Sequence, residues 1–393
     1  MTLRIAISGG SIGGLTAALV LRDAGYEVDV HERSPSRLNG RGAGIVLHEA
    51  TLRYLVERRG TPVEQLSEGA SRLQYLAPDG KLLYEEPSFE RFTSWNALHG
   101  NLLDNFDPAR YHLGSGVTGF TQDDHSVQVE LDDGSAVDCD LLVCAEGISS
   151  STREILLPGT APTYSGYVGW RGTIDATRLS AASREVLDDT ITYAVPPYNQ
   201  ALIYPIPEGD REGRGSGSLL NWLWYRNIEA GAPLDELLTD RTGQVRRLSL
   251  GAGTVRDEAV EELRASARGT LPPPLAEAVE LTDEPFVQVI VDVEVPRMVF
   301  GRVCVIGDAA FAARPHAAAG TAKAAEDGWA LAAALQAAGD DVQRGLEAWE
   351  PDQLALGRFV VGRSRAMGER SQVTCTWQPE DRSLRFGLRG AGK

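Results

Sequence analysis

The spacing of apolar residues changes character several times along the chain. Ile5 and Ile7 alternate as in a strand, Leu15–Ala24 repeat at helical spacing, and Val28 and Val30 return to period two. This predicts a strand–helix–strand unit, followed over Arg41–Gly60 by a Gly-bracketed turn, a short strand and an amphipathic helix. A hairpin over Leu73–Tyr84 turns at Pro78-Asp79-Gly80, and a helix covers Asn96–Phe106. Two alternating strands, Ser126–Leu131 and Ala136–Val143, meet at Asp132-Asp133-Gly134. From Tyr164 the texture becomes strand-rich: Tyr164–Thr173, Ile191–Val195, Ala201–Pro205, Leu219–Tyr225 and Phe286–Val295. Between them lie a polar loop at Pro207–Gly217, read as mobile, and a polar helical stretch over Ala230–Pro274. A short apolar run, Val303–Ile306, then precedes a helix opening near Ala319-Gly320-Thr321. The last helical pattern, Asp340–Gln372, is predicted to break at Pro351.

These shifts divide the chain into 1–163, a sheet-rich insertion over 164–297, a return to the first unit over 298–340, and C-terminal helices over 341–393. The 393 residues suffice for two or three hydrophobic cores. A net charge of −17 argues against nucleic acid or an anionic membrane as partner, and no apolar run reaches membrane-span length. It also means that any anionic nucleotide needs locally positive surroundings. The start, MTLRIAISGG, runs directly into a strand without a secretory pattern, and the four cysteines form no CxxC or metal-ligand pattern. Cys139, Cys144 and Cys304 lie in apolar surroundings, as buried thiols do. A cytoplasmic, metal-free protein is expected.

Chemistry concentrates at the two ends of the first unit. Gly9, Ser11, Gly13 and Gly14 form a tight loop between strand and helix, and Glu32 follows Gly14 by eighteen residues, at the end of the second strand. Glycines let backbone approach a pyrophosphate, the helix N-terminus favours its charge, and the carboxylate accepts from a ribose hydroxyl. The fingerprint is imperfect, since Ser11 stands where the second glycine is usual. Near the other end, Gly307-Asp308, Arg314-Pro315-His316 and the helix start at Ala319–Thr321 bring together an acceptor for sugar hydroxyls and free N–H groups suited to an anion-forming ring. Read alone, this segment is also compatible with a plain buried strand–loop–helix corner.

With these residues in view, GGSIGGLTAALVLRDAG, CAEGISSSTREILLP and GDAAFAARPHAAAGTAKAAEDG resemble the three motifs of the single-component flavoprotein aromatic hydroxylases, the p-hydroxybenzoate hydroxylase family. GYVGWRGT and RPHAAAG are similar to members that hydroxylate pyridinols. The resemblance implies an α/β fold in which a Rossmann-like FAD-binding domain with a βαβ unit carries an inserted mixed β-sheet substrate domain. It implies FAD as cofactor, NADH or NADPH as electron donor, molecular oxygen and a small aromatic substrate, with ring hydroxylation through a flavin C4a-hydroperoxide. A homodimer stays open.

The same resemblance places Gly9, Ser11, Ile12, Gly13, Gly14, Glu32, Arg33, Arg41, His99 and Val117 around the nucleotide, and Asp308, Pro315, Ala319, Gly320 and Thr321 around the sugar chain and flavin ring. Three positions depart from the family pattern. Glu146-Gly147 replaces Asp-Gly, His99 replaces an arginine, and Ala318 replaces a glycine in P-x-x-G-x-G.

For the substrate base the candidates are His316 and His48. Either histidine is equally a structural residue. Tyr204 and Tyr225 are placed to bond a ring substituent or to pack as core aromatics. Trp222 and Trp224 share a strand face with Arg226, forming a substrate wall or a packing surface, and Arg171 reaches the domain junction or joins an ion pair. A flavin oxidase, dehydrogenase or epoxidase on the same fold, a flavin hydroxylase of phenolic or polyketide products, a plain NAD-dependent dehydrogenase and a non-catalytic aromatic-binding flavoprotein are the competing readings.

Overall fold

A computed structural model describes residues 2–38, 44–207 and 219–393. The N-terminal pattern folds as read: strand β1 (Arg4–Ser8), helix α1 (Ile12–Asp23) and strand β2 (Glu27–Glu32), with β1 and β2 parallel. They sit in a six-stranded sheet in the order Val299–Phe300, Val303–Val305, Leu141–Cys144, β1, β2, Tyr111–Leu113. The strands β1, Leu141–Cys144 and Val303–Val305 are buried along nearly their whole length, in contact with α1 and with the antiparallel strands Val127–Leu131 and Ala136–Cys139. Ala136–Cys139 belongs instead to a separate three-stranded sheet, so the expected single strand over 136–143 is split at Asp140.

An eight-stranded mixed sheet forms the second layer. Its order is Ser249–Leu250, Phe286–Asp292, β3 (Thr163–Asp175), β5 (Leu219–Asn227), β4 (Asn199–Ile206), Thr190–Ala194, Arg72–Leu76, Leu82–Pro87. The last two strands are the early hairpin, so residues assigned to the first unit by sequence complete the second sheet, through a parallel pairing with Thr190–Ala194. Beyond Pro207 the loop expected at Pro207–Gly217 lies outside the described residues. The stretch 230–274 holds the helices Ala232–Leu237 and Asp257–Thr270, separated by polar turns and the strand Ser249–Leu250, and the start of a third helix at Pro273.

Helix α2 (Gly320–Ala337) packs against α1 through small residues. A Cβ on Gly13 would stand 2.9 Å from that of Ala324, and one on Gly328 would meet Ala17 at 2.8 Å, so the two helix axes approach closely. Helix α3 (Val342–Gln372) runs unbroken through Pro351, contrary to the expected interruption. Pro351 and Glu347, whose carbonyl loses its helical donor, are both exposed, so water serves that carbonyl while Leu346, Trp349 and Val360 fix the helix in the cores. After α3 the chain is not helical apart from one short turn. It folds back over the second sheet, with Trp377 Nε1 donating to Tyr75 Oη at 3.2 Å. Among the described residues no helix is long and apolar enough to cross a membrane.

Candidate active site

One cavity of about 630 Å³ runs from the N-terminal loop of the first sheet to the face of the second. At the first end, Gly9 holds φ +103°, a conformation that L side chains rarely adopt, and a Cβ there would collide with the Ala145 carbonyl. Gly14 is buried behind it and packs on the Gly9 carbonyl. Gly9, Ser11, Ile12 and Gly13 line the cavity together with Glu32, Arg33 and Val117. The Glu32 carboxylate accepts from the backbone N–H of Gly10 and Ser34, both at 2.9 Å, which fixes its orientation and leaves a lone pair on each oxygen for a diol.

On the opposite wall, Asp308 faces the cavity at the N-terminal end of α2, beside Pro315, Gly320 and Thr321; Ala319 caps that helix but does not line the cavity. Among the described residues its carboxylate has no hydrogen-bond partner. Burial pushes its pKa up to about 6, with the Lys323 charge pulling the other way. A carboxylate without a donor, a second carboxylate oriented by backbone N–H groups, two helix N-termini and a glycine cradle fit a dinucleotide such as FAD.

One expected cofactor contact stands elsewhere. His99 is buried behind the loop, where Nε2 donates to the Gly10 carbonyl at 3.0 Å and the ring stacks on Trp95 at 4.5 Å. Burial lowers its pKa, so it is a neutral prop rather than a replacement cation. Arg41 lies outside the described residues. Glu146 lines the cavity but accepts from Ser8 Oγ, Ser150 Oγ, Thr152 N and Thr152 Oγ1 at 2.5–3.0 Å. Four donors make it an anchor for the helix Ser151–Leu156.

The second sheet supplies the other end. Arg171 from β3, Gln200, Leu202 and Tyr204 from β4, and Leu223 and Tyr225 from β5 line the cavity. Trp222 and Trp224 do not: strand alternation turns them to the opposite face, where Trp222 Nε1 donates to Thr282 Oγ1 at 2.8 Å and Arg226 lies over the Trp224 ring. Both tryptophans are core residues of the helix-covered side. Tyr204 stacks on Phe92 at 4.4 Å, and neither its hydroxyl nor that of Tyr225 has a hydrogen-bond partner among the described residues. Burial pushes the Tyr204 pKa up to about 12 and raises that of Tyr225 further, so both are protonated donors.

His316 is locked between protein groups. Nδ1 donates to Gln200 Oε1 at 3.0 Å, Nε2 accepts from Tyr167 Oη at 2.9 Å, and the ring lies 4.3 Å from that of Tyr225. Burial, and then the Arg314 charge, take its pKa down to about 3. With both nitrogens engaged it has no lone pair left for a substrate proton. His316→Phe is expected to destabilise the FAD-saturated protein by about 2–4 kcal/mol, because it strands the buried Gln200 and Tyr167 groups. Urea denaturation measures this, and an unchanged midpoint contradicts the locking of His316 by Gln200 and Tyr167. His48, unlike His316, does not line the cavity; Nε2 donates to the Ala318 carbonyl at 3.0 Å. Ala318 adopts φ +54° at the position where the family motif has glycine, and His48 clamps that left-handed turn.

The comparisons with known proteins are consistent with this geometry. Residues 164–292 match a family model described as FAD binding domain-like. Over 388 residues the chain is 38% identical to 2,6-dihydroxypyridine 3-monooxygenase of Paenarthrobacter nicotinovorans, covering 98% of this chain and 96% of the relative. The chain belongs to the FAD-dependent aromatic hydroxylases of the p-hydroxybenzoate hydroxylase family. A solved structure of 2,6-dihydroxypyridine-3-hydroxylase from Arthrobacter nicotinovorans superposes with a TM-score of 0.94 at 37% identity, covering 100% of this chain and 98% of that one. Salicylate hydroxylase of Pseudomonas putida is 29% identical over 363 residues, 85% of this chain and 76% of the relative.

The enzyme is thus an FAD-dependent monooxygenase of aromatic rings. Sequence reasoning missed Tyr167, Gln200 and Phe386. Phe386 reaches the cavity from the C-terminal segment, whose Gly387 N–H donates to the Ala317 carbonyl at 3.2 Å.

Proposed function

We propose that the enzyme hydroxylates a hydroxypyridine next to an existing ring hydroxyl, with NADH or NADPH as electron donor and O2 as oxygen source. The observation that carries the reading is the floor of the cavity, where Tyr204, Tyr225 and Gln200 offer donors to a small polar ring between apolar Leu202 and Leu223. The likeness to enzymes acting on 2,6-dihydroxypyridine supports it. The free, buried thiols Cys139, Cys144 and Cys304 support a reducing compartment, the cytoplasm.

Gly9–Gly13 and Glu32 would hold the adenosine diphosphate half of FAD, and Asp308 with the start of α2 the ribityl and ring half. Bound FAD supplies hydride acceptance from the nicotinamide and activation of oxygen for transfer to the ring. The protein does the rest. The N–H groups at the start of α2 favour negative charge at the ring edge, Tyr204 and Tyr225 orient the substrate oxygens, and His316 braces Tyr225. Leu202, Leu223 and Ile290 keep the reacting face dry.

The test is turnover of 2,6-dihydroxypyridine by the holoenzyme under labelled O2. The expected result is stimulated NAD(P)H consumption and one labelled oxygen in the product. Label entering from water, or stimulation by phenols such as salicylate and by no hydroxypyridine, overturns the reading.

A further inference from the structure

Four cations are buried among the described residues, and three of them are satisfied within the protein. Arg153 donates to the carbonyls of Ile148, Thr160 and Ala309. Arg314 pairs with Asp292, and Lys323 with Asp327. Arg171 is the exception. It is 9% exposed, its Nε is sealed from solvent without a partner, and among the described residues its guanidinium forms no hydrogen bond or ion pair. A buried charge is retained in this state only where something completes it.

Its setting says what completes it. Arg171 stands on β3 opposite Leu223 and Phe286, on the cavity face of the sheet. Its charge acts on the Tyr204 and Tyr225 hydroxyls, which have no acceptor among the described residues. Gln200 has spent its carbonyl oxygen on His316, so its amide N–H groups remain. The titratable side chains gathered here (Tyr204, Tyr225 and His316) carry no charge at neutral pH, and the Glu146 carboxylate is saturated by its four donors. The floor is therefore rich in donors around one uncompensated positive charge.

We propose that Arg171 is the receptor for an oxyanion on the aromatic ring, so that the substrate binds already deprotonated, with the Tyr204 and Tyr225 hydroxyls as flanking donors. This rests on the hydroxylation reading and extends it to the ionisation state of the substrate. It also removes the need for a protein base, in keeping with the locked nitrogens of His316. An oxyanion conjugated with the ring raises the electron density at the carbon to be hydroxylated, so binding and activation are one contact.

The test compares two probes on the FAD-loaded enzyme, 2,6-dihydroxypyridine above its first ionisation and the neutral 2,6-dimethoxypyridine, with Kd read from perturbation of the flavin absorbance. Arg171→Met is expected to weaken the oxyanion about 10- to 100-fold, the usual cost of a lost charged hydrogen bond, and the neutral probe less than about twofold. Arg171→Lys keeps the charge and recovers part of the loss, which a merely structural arginine would not show. Equal weakening of both probes overturns the proposal. So does lost FAD affinity with oxyanion binding intact, which assigns the guanidinium to the flavin instead. Arg171-dependent binding without turnover supports it while removing the hydroxylation reading; turnover with Arg171-independent binding removes this inference alone.

Discussion

Lys323→Met is expected to destabilise the enzyme by about 3–5 kcal/mol, the cost of leaving one member of a buried ion pair alone. Lys323 Nζ stands 2.6 Å from Asp327 Oδ1 one turn along α2, and both side chains are essentially sealed from water. The second Asp327 oxygen accepts from Gly307 N at 2.9 Å, so the pair also pins the turn that carries Asp308. Methionine fills the lysine stem's volume and removes the charge. Burial, the largest influence on Asp327, already raises its carboxyl pKa, and loss of Lys323 raises it more. A carboxyl whose folded pKa exceeds its unfolded value binds protons preferentially when folded, so stability falls as pH rises. The deficit of the variant should therefore shrink as pH is lowered from 8 towards 5, and adding Asp327→Asn should recover part of it at pH 8. Urea midpoints across that range provide the check. A Lys323→Met variant as stable as the parent at pH 8 refutes the argument.

The parts of this fold that were legible in sequence are those fixed by local backbone demands. Gly9 needs a positive φ and Gly13 a close helix contact, so the nucleotide loop announces itself through residue type and spacing. The sheet floor does not. In Leu219–Asn227 both faces are buried, one under helices and one under the cavity, so alternation separates Trp222 and Trp224 from Leu223 and Tyr225 without saying which pair meets the ligand. The lock around His316 joins residues 116 and 149 positions away, and nothing local marks Gln200 or Tyr167 as its partners. Pro351 was misleading for a related reason. Its local cost is met by solvent and outweighed by packing along a helix of 31 residues. Arg171 was legible as a residue of the junction, but its lack of a partner exists only in three dimensions.

Asp308→Asn is expected to move cofactor affinity and apoprotein stability in opposite directions. In the wild type the carboxylate faces the cavity with no donor among the described residues, and burial pushes its pKa up to about 6. Folding therefore disfavours its ionised form, and above pH 6 the empty protein carries that penalty. Asparagine has no charge to desolvate, so the apo variant should melt a few degrees higher than wild type at pH 8, with the gap closing as pH falls through 6 towards the unfolded carboxyl value. FAD reverses the sign. A hydroxyl of the ribityl chain donating to an ionised acceptor makes a charge-assisted bond worth about 1.5–3 kcal/mol, so the variant should bind FAD about 10- to 100-fold more weakly. Titration of apoprotein with FAD and thermal melts with and without FAD measure both effects on the same samples. A variant with unchanged FAD affinity displaces Asp308 from the cofactor site. One that binds weakly but whose apo form is no more stable at pH 8 leaves the contact in place and shows that the empty cavity solvates the carboxylate fully.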